Sequence, residues 1–76
     1  MTTMELVNGK IYALKSFQTD KIYIGSTVRP IKRRMHSHIS DYKKYLSGSK
    51  SFISSFEILK YGDCFIELIK EILDSL

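Results

Sequence analysis

Two tyrosines, an arginine and a histidine stand out for the chemistry their types allow. Tyr12 lies in Lys10-Ile11-Tyr12 and Tyr23 in Lys21-Ile22-Tyr23-Ile24-Gly25, two β-prone segments of similar pattern. A phenol can hold a water by hydrogen bonding and take its proton if its pKa is lowered. Arg34 and His38 are four residues apart, on one face of a helix. A guanidinium can grip a phosphate through two hydrogen bonds and offset charge that grows as a bond breaks. Arg33 and Ser37 stand at the same spacing one position earlier. Gly25 would allow close approach of backbone or substrate, or simply end its strand. Ser26 and Thr27 would either donate to a phosphate or cap the helix that follows. Plainer readings stand beside these: tyrosines with apolar bodies and wet tips, a solvated Arg34, and His38 packed near the core edge. His36 falls on another helix face and reads as surface.

The elements that must position these groups follow from periodicity. Strand residues alternate between faces, so Tyr12 and Leu14 oppose Ile11 and Ala13, and Tyr23 opposes Ile22 and Ile24. If the aliphatic pairs point into the core, both tyrosines emerge together on the other face. The polar stretch Ser16 to Asp20 suits a turn of about five residues, which makes the two strands a hairpin. Pro30 suits the first turn of a helix. Ile31, Met35, Ile39, Tyr42 and Leu46 then recur at helical spacing, with a stop near Ser47-Gly48. A second helix is expected over Phe52 to Leu59, with Phe52, Phe56 and Leu59 on one stripe. After the turn signal Tyr61-Gly62-Asp63, the run Phe65 to Ile69 reads as a strand; helix through Ile72 and Leu73 is the other option. The expected fold is α/β, a small three-stranded, mainly antiparallel sheet with covering helices in the order β-β-α-α-β.

This order and these residues resemble the GIY-YIG nuclease family. Lys10-Ile11-Tyr12 matches the first half of the family's name with lysine in place of glycine, and Tyr23-Ile24-Gly25 matches the second half in full. The basic stretch Ile31-Lys32-Arg33-Arg34-Met35-His36-Ser37-His38 is similar to the family's helix, with arginine and then histidine one turn later. Ile58-Leu59-Lys60-Tyr61-Gly62-Asp63 looks like the entry to its third strand. The resemblance implies a DNA endonuclease domain that hydrolyses phosphodiesters. It implies Tyr12 as general base or the group nearest to it, and Tyr23 as a helper in positioning water. Arg34 would be the phosphate clamp, and His38 would orient a tyrosine or touch the scissile phosphate. It also implies Mg2+ or Mn2+, held by a glutamate on a helix after the third strand. That ligand is not identified here. Glu67, Glu71 and Asp74 read as surface acids of the strand or its end. The expectation is a domain over residues 9–76 that is C-terminally incomplete, preceded by an extension over 1–8, and weak or inactive alone.

Bulk properties agree with one small domain. The chain has 76 residues, 43% of them hydrophobic, enough for a modest core. The net charge of +4 is uneven. Residues 29 to 50 hold seven bases and one acid, whereas residues 51 to 76 hold two bases and five acids. Arg29, Lys32, Arg33 and Lys43, with Gly25 and Ser26, are the candidate DNA contacts on this basic half; a solvated helix face is the plainer reading. Cys64 is the sole cysteine, which excludes an intrachain disulfide and a four-thiolate zinc site and fits a reducing, intracellular setting. No apolar run is long enough to span a membrane. The geometric expectation is sharp: Tyr12 and Tyr23 share one sheet face with Arg34 and His38 beside them. Coordinates with the tyrosines on opposite faces would contradict it.

Overall fold

β1 holds the sheet together. In a computed structural model, which describes residues 6–75, β1 (Leu6–Ser16) lies between β2 (Thr19–Thr27) and β3 (Phe65–Ser75), and both pairings are antiparallel. α1 (Ile31–Leu46) and α2 (Phe56–Leu59) come between β2 and β3, so the order is β-β-α-α-β, as expected.

The strands run further than their apolar segments. β1 starts at Leu6, inside the stretch read as an extension, and β3 continues through Ser75 instead of stopping at Ile69. β1 offers partners all along this length: Leu6 pairs with Ser75 and Lys15 with Phe65. Ladder hydrogen bonds therefore override the mixed composition after Ile69, and the helical option is excluded. One irregularity interrupts this ladder. Ile11 pairs with Lys70 but Tyr12 with Leu68, which leaves Ile69 as the extra residue of a bulge.

The β1–β2 turn is also tighter than expected, with only Phe17 and Gln18 between the strands. Asp63 holds it from the far end of the chain. Its carboxylate accepts from the Ser16 hydroxyl and from the Phe17 N–H at 3.2 Å. The Ser16 hydroxyl accepts from Gln18 N–H at 3.0 Å, and the Gln18 side chain donates to the Tyr61 carbonyl at 3.0 Å.

Directly paired residues on neighbouring strands share a face. Tyr12 stands opposite Gly25 and Leu68, and Leu14 opposite Tyr23 and Ile66. This is the face the helices cover. Tyr12, Leu14 and Ile58 form the buried core, with Tyr23, Ile31, Met35, Cys64 and Ile66 packed against them. The tyrosines thus share a face as expected, but it is the inner one. Ile22 and Ile24, read as candidates for the core, are 52% and 50% exposed on the other side. A ring buries more apolar area than an isoleucine, and the inner face offers hydrogen-bond partners for the hydroxyl.

α1 follows directly from its sequence. The Pro30 carbonyl accepts from Arg33 and Arg34 N–H at 3.0 and 3.1 Å, so Pro30 precedes the first helical residue and does not occupy it. At the other end Gly48 takes φ +85°, Gly48 N–H donates to the Tyr45 carbonyl, and Ser49 N–H to the Lys44 carbonyl. This is the double hydrogen bond of a Schellman stop. α2 is one turn only, shorter than the expected Phe52 to Leu59. Ser54 and Ser55 before it form a turn, and their carbonyls accept from Glu57 N–H and from Ile58 and Leu59 N–H. Phe52 lies outside α2 but still packs edge-on against Tyr45 and Phe56, at 5.9 and 6.0 Å between ring centres.

Gly25 has no room for a side chain. A Cβ there would lie 2.5 Å from Cζ of Tyr12, closer still to its hydroxyl, and 3.0 Å from a Tyr23 ring carbon. Gly25→Ala should therefore destabilise the fold by about 1–3 kcal/mol in urea unfolding, because the Tyr12 ring has to move. A neutral or stabilising result, usual for a strand glycine replaced by alanine, would contradict this packing.

Candidate active site

Tyr12, Tyr23, Arg34 and His38 meet on the inner face of the sheet. β1 and β2 bring the two tyrosine rings to 6.5 Å between centres. α1 lies over them and lowers His38 between the rings, edge-on to Tyr12 at 5.7 Å and to Tyr23 at 5.6 Å. Arg34 sits one turn earlier on the same helix face, half-buried. Tyr12 has no exposed surface and His38 is 3% exposed, so the wet tip expected for Tyr12 is absent.

The hydrogen bonds around Tyr12 have a definite direction. Arg34 Nε–H donates to the Tyr12 hydroxyl oxygen at 3.1 Å. The same oxygen lies 2.7 Å from His38 Nε2. Arginine can only donate, so the Tyr12 proton is free to point at His38. His38 Nε2 is then the acceptor, and its ring proton is on Nδ1. Nε2 can accept only if the imidazole is neutral, and the electrostatics meet that condition. Burial, reinforced by the Arg34 cation and opposed by Asp41, lowers the His38 pKa from 6.5 to about 4. The imidazole is therefore neutral at pH 7. Burial raises the Tyr12 pKa, with Arg34 pulling the other way. In the resting protein the proton stays on Tyr12, and a neutral acceptor waits beside it.

The remaining candidates separate. Gly25 lies under the Tyr12 hydroxyl. Ser26 pairs with Ile11 and is exposed on the outer face, away from Tyr12. The Thr27 hydroxyl accepts from Arg29 N–H at 3.0 Å and makes no cap to α1. Lys32 is exposed on α1. Arg29 and Arg33 face outward into a polar cleft, whereas Lys43 lines an apolar groove with Met35, Ile39 and Tyr42. The cleft instead holds His36, read from the sequence as surface, together with Ser40 and Lys44, which were not singled out there. The signal was present: Arg33, Ser37, Ser40 and Lys44 follow the spacing of one helix stripe.

Among the described residues no group of three His, Cys, Asp or Glu side chains is placed to hold a metal ion. Glu67 is bound to Lys15 at 3.0 Å and lies opposite Ala13, on the face away from Tyr12. The Asp74 side chain lies outside the described residues. No described helix is long and apolar enough to cross a membrane.

The low pKa of His38 has a stability consequence. The unfolded chain takes up a proton at His38 near pH 6.5, whereas the native protein resists until about pH 4. Between these values the unfolded state binds more protons, so stability falls as the pH falls through that window and is unaffected by His38 above it. Thermal unfolding should show Tm dropping by several degrees from pH 6.5 to 4, and His38→Gln should flatten that drop. A wild-type Tm that tracks the His38→Gln variant over this range would contradict a buried, neutral His38.

The family model of the GIY-YIG catalytic domain matches residues 8–71. No curated protein and no solved structure matches the chain. The family match spans both tyrosine segments, the basic helix and most of the third strand. The chain therefore belongs to the GIY-YIG catalytic domain family, a family of nucleases.

Proposed function

We propose that this domain hydrolyses phosphodiester bonds in DNA, with Tyr12 and His38 as a proton relay and Arg34 as the phosphate clamp. One observation carries the reading: the continuous hydrogen-bonded chain from Arg34 Nε through the Tyr12 hydroxyl to His38 Nε2. Hydrolysis needs a positioned water, an acceptor for its proton, and relief of charge growing on the phosphate. The Tyr12 oxygen would take the water's proton while its own proton passes to His38 Nε2. His38 is the terminal base and Tyr12 the relay, which avoids forming a free phenolate beside a phosphate.

Arg34 would have two tasks. In the free protein its Nε–H holds the Tyr12 oxygen, and its Nη groups have no partner among the described residues. A substrate phosphate gripped by that guanidinium would draw it off the hydroxyl. The freed lone pair could then receive the water. This accounts for a catalytic phenol that has no exposed surface at rest. Tyr23, packed at the edge of His38, would hold the imidazole ring in place.

Nucleases of this family generally use a divalent metal, and the ion acts as a Lewis acid toward the phosphate when bound. Magnesium or manganese is therefore the ion to supply. One observation favours a second reading, a DNA-binding domain without cleavage: the described residues offer no carboxylate cluster near Tyr12.

A nicking assay on supercoiled DNA with Mg2+ or Mn2+ tests both. Tyr12→Phe, His38→Gln and Arg34→Ala should each lower the rate by about 100-fold or more. The wild-type rate should be level from about pH 5 to 7. It should fall near pH 4, where His38 is protonated. Full activity in Tyr12→Phe would rule out the relay. Binding without any cleavage by the wild-type chain would establish the second reading.

A further inference from the structure

The cleft on the outward side of α1 has no part in the relay. It has a volume of about 430 Å³ and is lined by Arg29 and Arg33 at one end and Lys44 at the other. The Ser37 and Ser40 hydroxyls lie between them. Its one carboxylate, Asp41, is bound to Lys50 at 3.4 Å, so that charge is already compensated. Arg29, Arg33 and Lys44 have no ion-pair partner among the described residues. The cleft therefore presents three uncompensated cations and two hydroxyl donors. That set suits an anion rich in acceptor oxygens.

Its placement narrows the ligand. Neighbouring residues on a helix point about 100° apart. Arg34 turns inward to the Tyr12 hydroxyl, and Arg33 beside it turns outward into the cleft. The two equally spaced pairs in the sequence, Arg34 with His38 and Arg33 with Ser37, are two different sites on adjoining faces. From Arg33 to Lys44 the stripe runs roughly 16 Å along the helix axis, at 1.5 Å per residue. An open track of that length suits a chain of phosphates better than one small anion. Resting on the nuclease reading above, we propose that this cleft grips the DNA backbone away from the scissile phosphate and so fixes the strand's path across Arg34.

Fluorescence anisotropy with a short labelled duplex, over a salt series, tests this. Each phosphate contact contributes about 0.9 to the slope of log K against log salt concentration. The double variant Arg33→Ala, Lys44→Ala should lower that slope by at least one contact. Its affinity near 0.1 M salt should fall roughly eightfold or more, taking 1 M salt as the reference. The matched variant Lys21→Ala, Lys70→Ala removes the same charge from exposed positions on the sheet and should leave the slope unchanged. Thermal melts of both variants should match the wild type, since all four side chains are exposed. If the two double variants lose equal slope and affinity, or neither loses any, the cleft is ordinary surface charge and the proposal fails. If, in addition, Arg34→Ala still abolishes nicking, the nuclease reading survives that failure. A wild-type chain that does not bind DNA would overturn both.

Discussion

The rest of the structure is arranged around a hydroxyl with no access to water. A buried phenol left unpaired would cost a few kcal/mol, so the protein has to bring partners to it. β1 fixes the ring, and α1 delivers Arg34 and His38 from one turn to either side of its oxygen. β2 contributes by omission, because only glycine at position 25 leaves room for the hydroxyl. The helix phase, the hairpin register and that glycine are therefore coupled. A one-residue slip in the pairing would turn Tyr12 to the outer face and leave Arg34 and His38 without a partner.

The same burial sets the chemistry. Taking a charge into this site is costly, so the His38 pKa falls to about 4 and the Tyr12 pKa rises. Two titratable groups pushed apart by a shared environment are suited to distinct roles as proton holder and proton acceptor, as the proposed relay requires. Structural stability and proton handling thus have one physical source. The basic residues that face water lie outside this buried set. Arg33 and Arg34 are neighbours in sequence, yet one belongs to the buried hydrogen-bonded chain and the other to the open cleft.

Much of this was legible in the sequence, and the parts that were not have physical reasons. Alternation placed Tyr12 and Tyr23 on one face, and helical spacing joined Arg34 to His38. Alternation cannot say which face is covered, because Ile22, Ile24 and the tyrosines are all β-prone and partly apolar. The hydrogen-bond partners on α1 decide that, and they come from another element. The turn at Phe17-Gln18 depends on Asp63, remote in sequence, so local composition gave it too many residues. β3 outran its apolar core because β1 continued to offer partners. Lys43 and Lys44 differ by one residue and look equivalent as letters. On a helix that step is about 100°, and it separates the apolar groove from the basic cleft.

The central claim is that a neutral His38 accepts the Tyr12 proton through Nε2. Nitrogen-15 NMR of the histidine ring reads this directly, because protonated and unprotonated ring nitrogens have well-separated shifts. At pH 6 the account predicts Nδ1 carrying the proton, Nε2 bare and accepting a hydrogen bond, and no change until the pH nears about 4. Tyr12→Phe should shift the Nε2 resonance as its donor is lost. A proton on Nε2 at pH 6, or a titration midpoint at the ordinary 6.5, would contradict the account.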